Sequence, residues 1–99
     1  MTLTETKTDD YIEITVEGNV DTNTAPQLQT KILQSFQKTT HLVIDMEQCP
    51  YMSSAGLRAL LLGQKTASSK GGYMKLVHVQ DVVMKIFSVS RFDKVLTIE

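Results

Sequence analysis

The sequence predicts an α/β fold in which helices pack against a mixed β-sheet, in the order β-β-α-β-α-β-α-β. Three observations support this prediction: apolar and polar residues alternate over residues 11–17, apolar residues recur at helical spacing between 25 and 36, and short apolar runs follow the later helical patterns. A chain of 99 residues suits one compact core. We therefore expect residues 1–99 to form a single domain.

Two strands are predicted at the beginning of the chain. They run from Leu3 to Thr8 and from Tyr11 to Glu17, with the turn pair Asp9-Asp10 between them. In the second strand two isoleucines and a valine alternate with polar residues, which is typical of a half-buried strand. Gly18-Asn19 then ends the strand.

The first helix is predicted to begin after a polar loop. Its N-terminal cap is Thr22, Asn23 or Thr24, and Pro26 lies in the first turn, where proline is tolerated. Apolar residues then recur every four positions and mark the buried face of this helix: Leu28, Ile32 and Phe36.

The second half of the chain continues the alternation of strands and helices. The third strand, His41 to Met46, is apolar enough to be covered on both faces or nearly so. A helix then follows the serine pair and ends near Gly71-Gly72. The remaining elements are a strand from Tyr73 to Val79, a helix capped by Asp81, and a last strand from Val95 to Ile98.

Composition excludes several classes of protein. The formal charge is −1 without blocks of either sign, which argues against binding to nucleic acid or to an anionic membrane. The N-terminal residues are polar, and no apolar run approaches the roughly 20 residues that span a bilayer. Cys49 is the only cysteine, so no internal disulfide can form. We expect a cytoplasmic protein.

The sequence contains no set of residues that indicates an enzyme. His41 and His78 lie in separate predicted strands, and neither has a metal-binding spacing with Cys49. Ser54-Ala55-Gly56 resembles the second half of a nucleophile elbow, but Met52 replaces the first glycine of that motif. Phosphate-binding and dinucleotide-binding glycine motifs are absent. We expect no catalytic residues, no metal and no cofactor.

Ser53 and Ser54 lie where a strand's exit loop becomes a helix. A helix begins with unpaired backbone N–H groups and the positive end of its dipole, so an anion is stabilised there. Either serine can cap the helix, a role worth about 1 kcal/mol. The alternative is that one of them accepts a phosphoryl group from a kinase, which supplies the base and the metal itself. The residues of the junction allow both interpretations.

Four neighbouring residues also allow two interpretations each. Gly56 serves helix packing or gives a partner access to the backbone, and Arg58 is a solvated helix residue or reaches back toward a phosphate. Asp21 is an ordinary loop acid or a charge beside the serine junction. Met52 is a core residue or a contact for a partner.

An ordered set of motifs resembles the STAS-domain family, specifically the small stand-alone anti-sigma-factor antagonists of bacteria. The resemblance covers essentially the whole chain, in these segments: Gly18-Asn19-Val20-Asp21, Thr24-Ala25-Pro26, Leu42 to Met46, Tyr51 to Leu57, Gly71-Gly72 and Phe87 to Phe92. The central family motif is typically Asp-Ser-(Ser/Thr)-Gly-Leu, with the first serine as phosphoacceptor. Ser54 matches that position, Ser53 replaces the aspartate and is a competing acceptor, and Asp21 matches a loop acid near the acceptor.

The resemblance implies a STAS-like fold and a partner-switching cycle. The unphosphorylated protein would bind an anti-sigma factor that is itself a serine kinase, an ATPase of histidine-kinase-like fold, and so release the sigma factor. Phosphorylation at Ser54 would end the complex, and a metal-dependent serine phosphatase would reset it. The partner-binding residues expected around the junction are Asp21, Thr22, Met52, Ser53, Ser54, Ala55, Gly56 and Arg58.

Two alternatives remain within the same family resemblance. The protein could be a STAS regulator with a non-sigma output, such as secretion, motility or a carbon response. It could also be a constitutive structural subunit of a transport assembly, which would need no phosphorylation.

Overall fold

The computed structural model describes residues 1–99 and confirms the α/β fold and the order of its elements. The strands are β1 (Thr2–Lys7), β2 (Ile12–Glu17), β3 (His41–Gln48), β4 (Tyr73–Val77) and β5 (Thr97–Ile98). The helices are α1 (Ala25–Phe36), α2 (Ser54–Ser69) and α3 (Asp81–Val89), followed by a 3₁₀-helix at Phe92–Lys94. None of these helices combines the length and the apolar character needed to span a membrane.

The sheet has the spatial order β1-β2-β3-β4-β5 and is mixed. Only β1 and β2 pair antiparallel, while β2, β3, β4 and β5 are parallel to one another. The three helices are the crossover connections between these parallel strands. Consequently the loops that follow β2, β3 and β4 all lie at the carboxyl edge of the sheet, which is where the serine junction is found.

The core lies on one face of the sheet. Side chains from neighbouring strands, such as Ile12, Leu42 and Met74, are in register on that face and fully buried. They belong to one cluster of 22 buried residues that also contains the apolar faces of the helices. The opposite face of β3 is only half-buried, so the prediction that β3 is covered on both faces or nearly so was wrong. Its buried residues alternate along the strand because helices cover a single side of the sheet.

Several predicted boundaries also need correction. Gln80, and not Asp81, is the residue before α3, and Asp81 is the first helical residue, where its charge suits the helix dipole. β4 ends at Val77 because His78 has a left-handed backbone (φ 57°). The last strand is shortened to two residues by the preceding 3₁₀-helix.

The predicted end of α2 is confirmed. Gly71, two residues after the helix, has φ +69°, and the N–H groups of both glycines donate to carbonyls of the last turn.

Candidate functional site

Two loops are joined at the carboxyl edge of the sheet. The N–H of Val20 donates to the carbonyl of Tyr51 (3.0 Å), and the N–H of Ser53 donates to the carbonyl of Val20 (2.8 Å). These bonds pair Val20 with Met52 as an isolated parallel bridge beyond the ends of β2 and β3. The loop that carries Asp21 is thereby fixed beside the start of α2.

The structure gives the two serines different positions. Ser53 is the N-cap of α2, with an extended backbone (φ −83°, ψ 173°), and its Oγ accepts a hydrogen bond from the N–H of Gly56 at 3.3 Å. Ser54 is the first helical residue and is exposed, and its hydroxyl makes no hydrogen bond within the chain. The capping role that either serine could have taken therefore belongs to Ser53.

Gly56 is a packing residue. A Cβ at this position would lie 2.7 Å from Met52 Cγ and 2.8 Å from Val20 Cγ1, both closer than real contacts allow. Gly56, Met52 and Val20 are all buried. Met52 and Gly56, which we expected to contact a partner, lie beneath the surface and instead support the junction. The sequence could not distinguish these roles, because the close approach depends on the bridge between the two loops.

Asp21 holds the start of α1 in a reciprocal capping arrangement. Its Oδ1 accepts from the N–H groups of Asn23 (2.9 Å) and Thr24 (3.0 Å), while Thr24 Oγ1 accepts from the N–H of Asp21 (2.9 Å). These hydrogen bonds, chiefly the one from the Thr24 backbone, lower the pKa of Asp21. Thr24, one of the three predicted caps, is the N-cap residue of α1, but its side chain makes no capping hydrogen bond to the helix, and the carboxylate of Asp21 holds the turn before it.

An open groove lies between α1 and α2 beside the junction. It has a volume of about 420 Å³ and is lined by Thr22, Ala25, Pro26, Gln29, Thr30, Ala55 and Arg58. Three of the predicted partner-binding residues, Thr22, Ala55 and Arg58, thus meet at one surface feature. Arg58 is exposed, forms no ion pair and is the only charged residue that lines the groove. This surface can accept a side chain from another protein.

A second polar cluster lies on the half-buried side of the sheet. His78 Nδ1 is 3.1 Å from Asp45 Oδ1 and 3.8 Å from Glu47 Oε2, and one donor atom of each residue falls within 4.8 Å of the others. The bond to Asp45 is the main cause of a raised pKa for His78, so a proton competes for the position that a metal would take. Sequence reasoning missed this cluster because the parallel register of β3 and β4 brings these residues together.

The other histidine has a structural environment. His41 stacks on Tyr73, with ring centroids 4.5 Å apart, and its Nδ1 lies 3.2 Å from the carbonyl oxygen of Asp10. His41 is half-buried in β3, as its predicted place in a strand requires, and has no reactive neighbour.

The chain belongs to the STAS-domain family. Residues 3–99 match the family model described as the STAS domain, which is nearly the whole length of the protein. The fold and the paired loops described above are consistent with that assignment.

Two relatives are anti-sigma factor antagonists by name. The protein BtrV of Bordetella bronchiseptica, provisionally named in this way, is 31% identical over 93 residues, which cover 93% of this chain and 80% of BtrV. The anti-sigma-B factor antagonist of Bacillus subtilis is 24% identical over 87 residues, which cover 88% of this chain and 80% of that protein.

Solved structures show the same fold. A protein of Thermotoga maritima described provisionally as an anti-sigma factor antagonist has a TM-score of 0.89 at 17% identity, covering 97% of this chain and 84% of that one. The Bacillus cell fate determinant SpoIIAA in its phosphorylated form has a TM-score of 0.76 at 18% identity, covering 99% of this chain and 91% of SpoIIAA.

Proposed function

We propose that this protein is an anti-sigma factor antagonist that works by phosphorylation-controlled partner switching in the cytoplasm. The unmodified protein binds an anti-sigma factor that is also a serine kinase, an ATPase of histidine-kinase-like fold, and the sigma factor is released. Phosphorylation of Ser54 ends the complex, and a metal-dependent serine phosphatase restores it. The names of the relatives support the antagonist role, and a buried free thiol at Cys49 suits a reducing compartment.

The observation that carries the proposal is the hydroxyl of Ser54 at the first position of α2, which is exposed and makes no hydrogen bond within the chain. In the reaction, Ser54 Oγ bonds to the γ-phosphorus of the kinase's ATP as the bond from that phosphorus to the β–γ bridging oxygen breaks. The hydroxyl proton passes to a base of the kinase, and ADP leaves. Ser53 is a poorer acceptor because its oxygen already caps the helix.

Physical magnitudes favour a switch that breaks a complex and preserves the fold. Phosphorylation adds about −1.5 to −2 charges at neutral pH. At a helix N-terminus a negative charge is favourable by about 0.3–1 kcal/mol. A charge left unpaired in an interface costs on the order of 3–5 kcal/mol, enough to weaken binding by about two orders of magnitude or more. The cost therefore falls on the partner complex.

Phosphate mapping tests the acceptor. The kinase is recovered from an extract of the source organism on the immobilised parent protein, purified, and incubated with magnesium-ATP and either the parent, Ser54→Ala or Ser53→Ala. We expect one phosphoryl group on the parent and on Ser53→Ala, and none on Ser54→Ala. Equal modification of Ser54→Ala and the parent would overturn the assignment.

Binding tests the switch. Ser54→Asp should bind the kinase with an affinity at least about 10-fold lower than the parent's, while it keeps the parent's thermal stability. If Ser54→Asp binds every partner as well as the parent does, the protein is a constitutive subunit and not a switch.

A further inference from the structure

Arg58 is an unpaired cation in an unfavourable place. It lies in the second turn of α2, near the positive end of the helix dipole, and the first turn of α2 contains no acidic residue. Its guanidinium has no ion pair and no hydrogen bond in the chain. The position of Arg58 thus leaves a positive charge available to an anion from outside.

Arg58 is also spaced to reach a phosphate on Ser54. The two residues are four positions apart on α2, so they lie on the same face, one turn from each other. Helical side chains lean toward the N-terminus, which directs the arginine stem toward Ser54. On a helix, a negative group pairs best with a cation four residues towards the C-terminus, which is the order of a phosphate on Ser54 and Arg58. The planar guanidinium binds phosphate with two parallel hydrogen bonds, which a lysine cannot do.

The groove between α1 and α2 defines what an unmodified partner must bring. Its other lining residues are uncharged, so Arg58 supplies its entire formal charge. A volume of about 420 Å³ accommodates a side chain inserted between the two helices. Charge complementarity favours a side chain that carries a carboxylate, since an anion is the strongest hydrogen-bond partner for a guanidinium that loses hydration in a complex.

We propose that Arg58 exchanges ion-pair partners when the switch operates. In the unmodified protein its guanidinium binds a carboxylate that the kinase inserts into the groove, and after phosphorylation the phosphate on Ser54 takes the guanidinium away from that carboxylate. Phosphorylation then removes an attraction as well as adding a repulsion. The inference rests on the proposed function, because it needs both the kinase complex and modification at Ser54.

The first test needs no partner. Phosphoserine is incorporated at position 54 during translation, and its second pKa, ordinarily about 6, is measured by ³¹P NMR in the parent, Arg58→Gln and Lys65→Gln. Pairing with Arg58 stabilises the dianion, so the parent pKa should lie about 0.2–0.7 units below that of Arg58→Gln. Lys65 is exposed on the same helix two turns further on and serves as the matched control. Equal values in the parent and Arg58→Gln would overturn the inference.

The second test measures affinity of the unphosphorylated protein for the kinase. Arg58→Gln should weaken binding at least about 10-fold, Arg58→Lys less, and Lys65→Gln not measurably. Ser54→Asp should also cost a larger factor in the parent than in Arg58→Gln, because the variant has no ion pair left to lose. Parent-like binding by Arg58→Gln would refute the carboxylate in the groove.

The outcomes separate the two proposals. If the kinase does not modify Ser54, the proposed function fails, whatever the ³¹P titration shows. If Ser54 is modified but either the phosphoserine pKa or the kinase affinity does not depend on Arg58, the switch stands and the exchange of ion pairs is wrong.

Discussion

Replacing the two serines one at a time should affect stability differently. Ser53→Ala removes the oxygen that accepts from the N–H of Gly56, and loss of a serine cap costs about 0.5–2 kcal/mol. The hydrogen bond is long, 3.3 Å, so we expect the lower half of that range, about 0.5–1 kcal/mol. Ser54→Ala removes a hydroxyl without a partner, and its effect should be no more than about 0.5 kcal/mol in either direction.

Thermal and urea unfolding followed by circular dichroism measure this difference. In a domain of this size, 1 kcal/mol shifts the melting temperature by about 4–8 °C, so Ser53→Ala should melt about 2–8 °C below the parent. Ser53→Asp is the matched control, because aspartate caps equally well and its charge suits the helix dipole; it should be at least as stable as the parent. The reasoning fails if Ser54→Ala is destabilised as much as Ser53→Ala, since Ser54 would then be the cap.

Three further changes test the surroundings of the junction and the separate His78 cluster. Gly56→Ala places a Cβ 2.7 Å from Met52 Cγ and 2.8 Å from Val20 Cγ1, and two such contacts put the overpacking cost in the upper part of its usual range, about 2–3 kcal/mol. Better helix propensity returns about 1 kcal/mol, so the urea-unfolding free energy should fall by about 1–2 kcal/mol, and a parent-like value would contradict the packing role. The hydrogen bonds that lower the pKa of Asp21 stabilise the protein at pH values above the ordinary carboxylate pKa of about 3.9, and this stabilisation is lost as the pH falls through the lowered value. Asp21→Asn still caps, so its unfolding free energy in urea titrations should decrease less than the parent's below about pH 5. If the unfolding free energy of Asp21→Asn decreases at acid pH as steeply as the parent's, the pKa of Asp21 is not lowered in the folded protein. The pairing of His78 with Asp45 stabilises the protein fully below the ordinary pKa of 6.5 and is lost as pH rises through the raised value; NMR titration should give a His78 midpoint above 6.5, and Asp45→Asn should lower it.

The sequence predicted the order of elements because each one has a strong local signal. Alternation over β2 and the helical spacing of Leu28, Ile32 and Phe36 depend on neighbours in the chain, which a single sequence displays. The coverage of β3 depends on where distant helices pack, and the sequence alone predicted it wrongly. The early end of β4 has the same origin, since the left-handed backbone of His78 has no local marker.

The candidate site shows the same division. A serine pair before an apolar helix indicated the junction, and the family motif selected Ser54. The separation of Ser53 as the cap needed a hydrogen-bond donor three residues away, which only the folded backbone provides. The burial of Met52 and Gly56, and the meeting of Thr22 with Arg58 in one groove, arise from pairing between loops about thirty residues apart. No periodic pattern within one element can predict such contacts.

The residues that support the start of α2 are different from the residue that we propose is modified, Ser54. Val20 and Met52 are fully buried against Gly56, so the base of the junction has no free volume in which to relax. Ser53 holds the first turn independently, and the hydroxyl of Ser54 has no bond to give up when a phosphoryl group is added. In the proposed switch, any cost of modification to the stability of the fold is therefore offset by the favourable interaction of the phosphate with the helix dipole. Because Ser54 is held by residues to which its hydroxyl makes no hydrogen bond, the proposed switch predicts that the free energy of modification acts almost entirely on the partner.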